Sequence, residues 1–528
     1  MNKRLIAPAA MAMVLGVAGC GSSGGSTSSS GGSGSGSFSI GDDEPDHLNP
    51  GQATGAYDEV HALFAPLAKV DQNGKLVMVQ AQSITSSDNQ TWTVKIKPGW
   101  TFHNGEKVTA QSYADGWNAT AYGPNAWGNN GELSNVAGYP ALNPAKGKPT
   151  TKTLSGVTVV NPTTLKVTLI KQDSQFPLEL TAGQPAFEPL PKVAFKDLKA
   201  YDQAPVGDGA FEMDGTWKHN TSITVKRYDK YKGTKPKADK IVFKIYSDLH
   251  TAYTDAQGGN VDIVNVPQDK YGQVKTDFPD ANIAYNAPAI DYLGFPLYDK
   301  RFSDIRLRQA ISLAIDRNAV NKAIFGGMYS PATSLTPPAE IGAKTGICDF
   351  CTFDPTKAKQ LLAAAGGWKG PLQIWYPAGV GYDQTFAAIA NQIRQNLGIK
   401  DVKLKGLPGF VQYSQEQLDK KIDGPYRGHW GALYPSMQNT LTALFTATGD
   451  GHNETWYSSP KVDSLLAQAN AASGDAATAL YNQAQEQVLK DFPVVPLFFA
   501  KYVYVHSKNV SNVIIDVNQI ELDQVTPK

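Results

Sequence analysis

Two of the three cysteines lie close enough in the sequence to do chemistry together. Cys348 and Cys351 form a Cys-x-x-Cys pair, a spacing typical of a redox centre or of half a zinc site. No second Cys pair completes a zinc site, and this pair lies in a loop with Gly and Thr instead of at a helix start that would lower a thiol pKa. We therefore expect a structural disulfide before Asp354, with modest stabilisation because it closes a short loop.

Elsewhere the sequence contains no local motif typical of a catalytic, metal-binding or phosphate-binding site. The sequence contains no His-x-His, no His-Glu-x-x-His and no Gly-rich phosphate-binding motif, and its one Gly-x-Ser-x-Gly match, at 21–25, lies in a Gly/Ser tract. The eight histidines are scattered: His47, His61, His103, His219, His250, His429, His452 and His506. The sequence thus predicts a protein that is not an enzyme and that uses no cofactor and no metal.

The charge balance excludes one class of partner. Lys and Arg total 48, as do Asp and Glu, so the formal net charge is zero. Proteins that bind nucleic acids usually carry an excess of Lys and Arg, so we expect no nucleic-acid partner. The 528 residues are 41% hydrophobic, which is enough for a large core, and this length suggests about three folded units.

The beginning of the chain has the composition of an export signal and a tether. Lys3 and Arg4 precede an apolar run at 5–18, too short to span a bilayer, and Cys20 follows small residues as in the lipobox of bacterial lipoproteins. We expect a signal peptide at 1–19, a lipid on Cys20 and a flexible tether over 20–37. This predicts a chain anchored to the extracytoplasmic face of a cell membrane, with a Gram-positive surface favoured over a periplasm. The alternative is an ordinary secretory signal with an incidental cysteine.

Beyond the tether, strand patterns and helix patterns follow one another. Period-two alternation predicts strands at 92–96, 165–169 and 241–245. Helical spacing predicts helices at 307–315, from Asp354-Pro355 to about Gly366, at 386–397 and at 480–489. With strands at 372–375 and 402–404, the helix at 386–397 makes a βαβ unit. The fold class is therefore α/β, divided between at least two lobes.

Four segments carry a resemblance to a known family. They are EPDHLNP at 44–50, QTWTVKIKPG and FHNGEKVTA within 90–110, PVGDGAF at 205–211, and FSDIRLRQA with AIDR within 302–317. In this order they resemble solute-binding protein family 5, the substrate-binding proteins of peptide-type ABC importers, which includes oligopeptide-, dipeptide- and nickel-binding proteins. Most of these residues are expected to be structural; 306–317 is predicted to be an amphipathic helix whose polar face carries its arginines.

The resemblance implies a two-lobed fold of the type II periplasmic-binding-protein class with an added satellite domain. Lobe 1 would combine 38–74, 205–288 and 498–528, the satellite domain would be 75–204, and lobe 2 would be 289–497. Hinge strands would lie near 287–290 and 496–500. A ligand that touches both lobes binds the closed form better, and membrane permease subunits with cytoplasmic ATPases would recognise that form. We expect a monomer.

The resemblance also implies a ligand site. The segment 427–435 looks like the family's pocket motif, in which Arg427, Trp430 and Tyr434 keep the family's residue types. Further candidate ligand contacts are Thr54, Ala56, Tyr57 and Tyr292. Leu433, however, stands where the family has an Asp that pairs with the terminal ammonium of a peptide.

Leu433 leaves three readings open, because a buried ammonium without a carboxylate costs several kcal/mol. Another acid, with Asp46, Glu59 and Asp423 as candidates, would supply the charge. A peptide would instead bind in another register with water in place of the salt bridge. Otherwise the ligand would carry no ammonium, as with an oligosaccharide. We place peptides first and saccharides second, and nickel is disfavoured by the scattered histidines.

Overall fold

The computed structural model describes residues 36–55, 57–72, 74–181, 183, 185–379, 381–447, 452–516 and 519–528. The predicted signal peptide, the lipidation site at Cys20, most of the predicted tether and Ala56 lie outside these residues. No helix within the described ranges is long and apolar enough to cross a membrane.

Helices and strands are distributed along the whole described chain. The α-helices are α1 (Tyr57–Leu63), α2 (Ala110–Ala121), α3 (Tyr139–Leu142), α4 (Phe176–Glu179), α5 (Leu198–Gln203), α6 (Leu249–Gln257), α7 (Val274–Asp277), α8 (Ile305–Leu313), α9 (Arg317–Ile324), α10 (Pro355–Ala364), α11 (Asp383–Leu397), α12 (Gly409–Leu418), α13 (Met437–Phe445), α14 (Pro460–Ala471) and α15 (Gly474–Asp491). The strands are β1 (Ser37–Asp42), β2 (Ala68–Val70), β3 (Leu76–Met78), β4 (Ala81–Ser86), β5 (Thr91–Ile96), β6 (Val157–Asn161), β7 (Thr164–Thr168), β8 (Phe211–Met213), β9 (Ser222–Arg227), β10 (Lys240–Ile245), β11 (Ile263–Asn265), β12 (Asn282–Gly294), β13 (Ser330–Pro331), β14 (Leu372–Ala378), β15 (Val402–Pro408), β16 (Tyr426–Gly431), β17 (Val494–His506), β18 (Val510–Ser511), β19 (Ile515–Asp516), β20 (Gln519–Ile520) and β21 (Thr526–Pro527).

One mixed sheet of 11 strands runs through both lobes. Its order is β15-β14-β16-β12-β17-β11-β1-β10-β9-β8, with β13 paired to β17 off this path. The two 13-residue strands β12 and β17 are antiparallel partners at its centre. Strands on one side of this pair belong to lobe 1 and those on the other side to lobe 2, so β12 and β17 connect the lobes.

The pairing of β12 with β17 is interrupted between the lobes. Asn286 pairs with Lys501 and Ile290 pairs with Phe499, so residues 287–289 of β12 face Ala500 alone. A ladder with extra residues on one strand bends locally. The interruption overlaps the segment 287–290, where the family resemblance predicts a hinge strand.

The carboxyl ends of parallel strands face each other across the space between the lobes. β1 is parallel to β10 and β11, and β11 is antiparallel to β17, so these three strands point toward lobe 2. β14 is parallel to β15 and β16, and β16 is antiparallel to β12, so they point toward lobe 1. Ligands of open α/β sheets bind outside such carboxyl ends. The interlobe cleft is therefore bordered by strand ends from both sides.

A separate four-stranded antiparallel sheet, β4-β5-β7-β6, lies within 75–204. Helix α2 packs on it, and its N-terminus is capped by Thr109, whose hydroxyl accepts from the Ser112 amide. Trp92 and Phe176 lie in the same buried core, with ring centroids 5.7 Å apart. This sheet forms the body of the additional domain.

The hydrophobic cores extend across the domain limits that the family resemblance predicts. Trp127 and Tyr201, within 75–204, pack into the core that contains β1 and β10. Conversely, Tyr253 and Phe278, within 205–288, belong to the large core of lobe 2. The domain limits given above therefore stay a prediction, while the α/β class is confirmed.

Several predicted elements are confirmed. β5, β7 and β10 are strands where the alternation indicates them, and α10 begins directly after Asp354, whose carboxylate accepts from the Lys357 amide. α11 ends at Gly398, which has a positive φ of 72°. β14, α11 and β15 form the expected βαβ unit, since the two strands are parallel.

The prediction for 306–317 is wrong in two respects. The segment spans two helices, α8 and α9, and its arginines do not share a polar face. Arg308 and Arg317 are buried at 6% and 3% exposure, and their Nε atoms donate to the carbonyls of Phe492 and Pro496 at 2.8 and 2.7 Å. Both guanidinium groups therefore satisfy backbone carbonyls inside lobe 2, a role that spacing alone does not reveal.

Candidate ligand-binding cleft

Arg427 lies on β16 at the centre of an aromatic group in lobe 2. Its Nη2 donates to the Tyr382 hydroxyl at 2.7 Å, and its guanidinium carbon lies 4.3 Å from the Tyr382 ring centre and 5.5 Å from that of Phe410. Its Nε atom is buried and has no acceptor among the described residues. The aromatic rings position a cation that still has a donor to offer.

Asp291, on β12, was missed by the sequence analysis and lies beside Arg427. One carboxylate oxygen is 2.8 Å from His429 Nδ1 and 3.9 Å from Arg427 Nη2. Burial, and then the negative charge of Asp291, raise the pKa values of Tyr329 and Tyr502, the latter to about 12. A charged residue inside the otherwise apolar stretch 287–293 is the signal that could have identified it.

Trp430 lies near the end of β16, and Leu433 follows two residues after the strand. Trp430 Nε1 and the Leu433 amide donate to the same Asn439 side-chain oxygen, at 3.1 and 3.2 Å. The Leu433 carbonyl accepts from the amide of Gly183 at 2.8 Å. Leu433 therefore has both backbone groups engaged and lies where lobe 2 meets the additional domain.

Tyr434 is buried at this same contact. Its hydroxyl donates to the Gln438 side-chain oxygen and lies 3.5 Å from Glu179, while Gln438 Nε2 donates to the Asp173 carboxylate at 2.7 Å. Burial raises the pKa of Asp173 to about 6 and that of Glu179 well above its usual value. The phenol of Tyr434 is thus committed to a polar cluster shared by the two domains.

Thr54 and Tyr57 belong to lobe 1. The Thr54 amide donates to the Asp46 carboxylate at 2.9 Å, and the Tyr57 hydroxyl donates to the Thr54 carbonyl at 2.9 Å. Thr54 is exposed and Tyr57 is half-buried. These two residues contact each other, and Ala56 lies outside the described residues.

Tyr292 is placed differently from the other candidate residues. It is 3% exposed, and its ring covers Gly428, where an added Cβ would lie 2.0 Å from the ring. Burial, and then the charge of Glu454, raise the pKa of Tyr292 well above its usual value. Arg427, Trp430, Leu433 and Tyr434 thus follow one another along one segment of the chain, Thr54 contacts Tyr57, and Tyr292 packs beneath β16.

The three acidic candidates also differ in their surroundings. Asp46 accepts from Thr54, as described. Asp423 accepts from Trp375 Nε1 at 2.9 Å and from Gln373 Nε2 at 3.1 Å. Glu59 is buried, and one of its carboxylate oxygens has no partner within the described chain.

Cys348 and Cys351 form a disulfide in the structure, with Cα atoms 5.4 Å apart. The amide of Cys348 donates to the Thr333 carbonyl at 3.1 Å, and the loop packs on the core of lobe 2. Among the described residues, no group of three His, Cys, Asp or Glu side chains is arranged to hold a metal ion.

A family model for bacterial extracellular solute-binding proteins, family 5 Middle, matches residues 75–452. The periplasmic murein peptide-binding protein MppA of Escherichia coli K12 is 27% identical over 482 residues, covering 86% of each chain. The glutathione-binding protein GsiB of the same strain is 29% identical over 480 residues, covering 88% of this chain and 89% of the relative.

Solved structures show the same fold. The Escherichia coli murein tripeptide binding protein MppA superposes with a TM-score of 0.77 at 24% identity, covering 93% of this chain and 98% of that one. Haemophilus influenzae OppA in complex with the peptide RPPGFSPFR gives a TM-score of 0.75 at 21% identity, covering 93% and 99%. These relatives are binding proteins and not enzymes. The chain belongs to the bacterial extracellular solute-binding proteins of family 5, the substrate-binding proteins of ABC importers, with two lobes and an additional domain.

Proposed function

We propose that this chain is the extracytoplasmic binding protein of an ABC importer and that it captures peptides between its lobes for delivery to the permease. The observation that carries the proposal is the cleft itself, in which carboxyl ends of parallel strands from both lobes oppose each other. The relatives named above for murein peptide and for glutathione support a peptide as the ligand class.

The cleft offers groups suited to the two charged ends of a peptide. The Arg427 Nε is buried with no acceptor among the described residues, and the guanidinium is stacked against Tyr382, an arrangement that suits a carboxylate. Asp291 lies 3.9 Å from Arg427 and offers negative charge nearby. Aromatic side chains such as Trp430 provide contact area for apolar parts of the ligand.

Closure of the lobes follows from the two connecting strands. The interruption at 287–289 gives β12 a place to bend, and Ala500 lies opposite it on β17. A ligand that touches both lobes favours the closed form by its differential affinity. The permease, with its ATPase subunits, would then recognise that closed form of a monomeric binding protein.

The anchoring of the protein is part of the proposal. Cys20 would carry a lipid after removal of 1–19, holding the folded body on the outer face of the membrane through the tether. A Cys20→Ala variant should move from the membrane fraction to the soluble fraction of the envelope or to the medium. The same fractionation pattern for both proteins would contradict lipidation.

The ligand can be identified by mass spectrometry of small molecules released from the purified, unfolded protein. Short peptides are expected. Sugars without peptides would overturn the peptide assignment and would explain Leu433 at the position of the family's Asp.

Arg427→Ala is the matched test of the cleft. It should weaken binding of the identified peptide by about tenfold or more, since a charge-assisted contact is lost. The control is Arg306→Ala, because Arg306 is exposed and its ion pair is local, with Asp304. If calorimetry gave the same peptide affinity for both variants, Arg427 would not be a ligand contact.

A further inference from the structure

Lobe 1 contains a cavity at the carboxyl end of β1, on the side that faces lobe 2. It has a volume of about 270 Å³ and lies between the loop after β1 and the start of α1. Its lining is almost entirely acidic or polar: Asp42, Asp43, Glu44, Pro45, Asp46, Thr54, Gly55 and Glu59. Thr54, one of the candidate ligand contacts, lies in its wall.

Two of these acids already have neutral or weakly basic partners. Glu44 accepts from the Asn220 amide at 2.8 Å and lies 2.8 Å from His219 Nδ1. Asp46 accepts from Thr54. Both therefore contribute negative charge to the rim while holding the loop in place.

Four acids that line the cavity or lie next to it have no cationic partner among the described residues. Asp42 accepts from the amide of its neighbour Asp43, and Asp58, just behind the wall, accepts from the Ile520 amide. Across the part of the chain that the structure describes, no Lys, Arg or His side chain forms an ion pair with Asp42, Asp43, Asp58 or Glu59. An accumulation of acids without a cation is costly unless something else supplies the positive charge.

Glu59 is the group that points to a ligand. It is 1% exposed, it lines the cavity, and its Oε2 atom has no hydrogen-bond partner among the described residues. Burial, and then the charges of Asp42 and Asp58, raise the pKa of Glu59 well above its usual value. Buried carboxyl oxygens are nearly always satisfied, so this one marks a place for a donor that arrives from outside.

The size and geometry of the cavity favour an organic cation over a metal ion. The described acids here do not form a group of three arranged to hold a metal. A volume of about 270 Å³ has room for a side chain that ends in an ammonium or guanidinium, which donates several hydrogen bonds at once.

We propose that this acidic cavity, with Glu59 at its floor, receives a cationic group of the ligand and makes the protein selective for peptides that carry Lys or Arg. The inference rests on the proposed peptide-binding function. It assigns to Glu59, out of the three acidic candidates, the carboxylate that complements a ligand cation in a chain with Leu433 at the family's Asp position.

Competitive capture from a defined peptide mixture tests the inference. The ligand-free protein, with the signal peptide removed, is incubated with an equimolar mixture of alanine-based di- to pentapeptides. Each peptide is present in two forms, with one lysine or with acetyl-lysine in the same position, and captured peptides are quantified by mass spectrometry. The lysine forms should be enriched by about tenfold, the effect of one good charge pair. Capture without enrichment overturns the inference and leaves the peptide function standing, whereas no capture of any peptide overturns the function itself.

Variants locate the effect. Glu59→Gln should reduce the lysine enrichment to about twofold or less, because it keeps the shape and removes the charge. Glu486→Gln is the matched control, since Glu486 is a half-buried residue of α15 that does not line the cavity and whose carboxylate pairs with Lys344. Undiminished enrichment in Glu59→Gln overturns the assignment. If Glu59→Gln does not fold, Asp43→Asn is tested in its place, because Asp43 is exposed at the cavity mouth. This variant should lower the lysine enrichment severalfold. Unchanged enrichment overturns the proposal.

Discussion

Single residues decide how the cleft is built, and Gly428 shows this most directly. It lies on β16 where the ring of Tyr292 crosses the strand, so that an added Cβ would meet three ring atoms at 2.0, 2.2 and 2.5 Å. The glycine is required by this close approach of an aromatic ring, and the ring in turn supports the strand that carries Arg427. A pattern read from sequence alone gives no sign of such a contact.

Gly428→Ala should therefore destabilise the fold by about 3 kcal/mol, since neither the ring nor the strand can move without disturbing the core of lobe 2. Denaturant unfolding followed by fluorescence measures the change. Gly131→Ala is the control, because Gly131 is exposed and an added Cβ there meets nothing within 4 Å. Similar midpoints for both variants would contradict the steric argument.

Buried acids of lobe 1 should make the free energy of unfolding depend on pH. Burial, followed by the charge of Asp42, raises the pKa of Asp58 from 3.8 to about 7. Because the folded state binds this proton more tightly than the unfolded state, the stability it contributes is complete below pH 3.8 and is lost as the pH rises to about 7.

Asp58→Asn removes that dependence while keeping an oxygen for the Ile520 amide. The variant should gain on the order of 2 kcal/mol over the original protein at pH 8, and the gain should vanish near pH 4. Unfolding curves at the two pH values measure it. A difference that does not change with pH would show that Asp58 titrates normally.

At the scale of helices and strands, much of the fold was predictable from the sequence, whereas the contact of Asp291 with Arg427 was not. Alternation and caps are local signals, which is why β5, α10 and the unit β14-α11-β15 could be read from sequence. Asp291 and Arg427 come together only through the pairing of β12 with β16, which joins residues far apart in the chain. The burial of Arg308 on α8 and Arg317 on α9 was not predicted for the same reason. Each of them donates to a carbonyl of the distant segment 491–496.

Arg317 offers a test at this scale. It is 3% exposed, and its guanidinium donates to the Pro496 carbonyl and to the carbonyl and hydroxyl of Ser312. Arg317→Lys should cost about 3 kcal/mol, because an ammonium cannot reach all of these acceptors from one position. The exposed Arg306→Lys, expected to change stability by less than about 0.5 kcal/mol, is the control. Equal losses of stability in denaturant titrations would mean that the fork geometry of Arg317 is not needed.

The whole molecule consists of two lobes whose sheets are joined through β12 and β17. Such a connection permits rotation of one lobe against the other. The additional domain contacts lobe 2 near Leu433 and Tyr434, so it lies close to the cleft. Family membership fixes this architecture, whereas the nature of the ligand depends on the side chains that line the cleft.

Small-angle scattering should report a smaller radius of gyration when the identified peptide is bound, because closure brings the lobes together. The Arg427→Ala protein at the same peptide concentration should keep the larger radius. An unchanged radius for a protein that mass spectrometry shows to be loaded would contradict closure.

The position of β17 in the sheet affects the order in which the domains can fold during synthesis. Strand β1 is formed by residues 37–42 and pairs with β11. The other edge of β11 pairs with β17, which is formed by residues 494–506. A nascent chain that has emerged to residue 450 can already assemble the sheet β4-β5-β7-β6, whose strands all lie within 81–168. The sheet of lobe 1 cannot be completed before β17 is synthesised, so a chain that terminates before residue 494 would expose an unpaired sheet edge and be open to proteolysis.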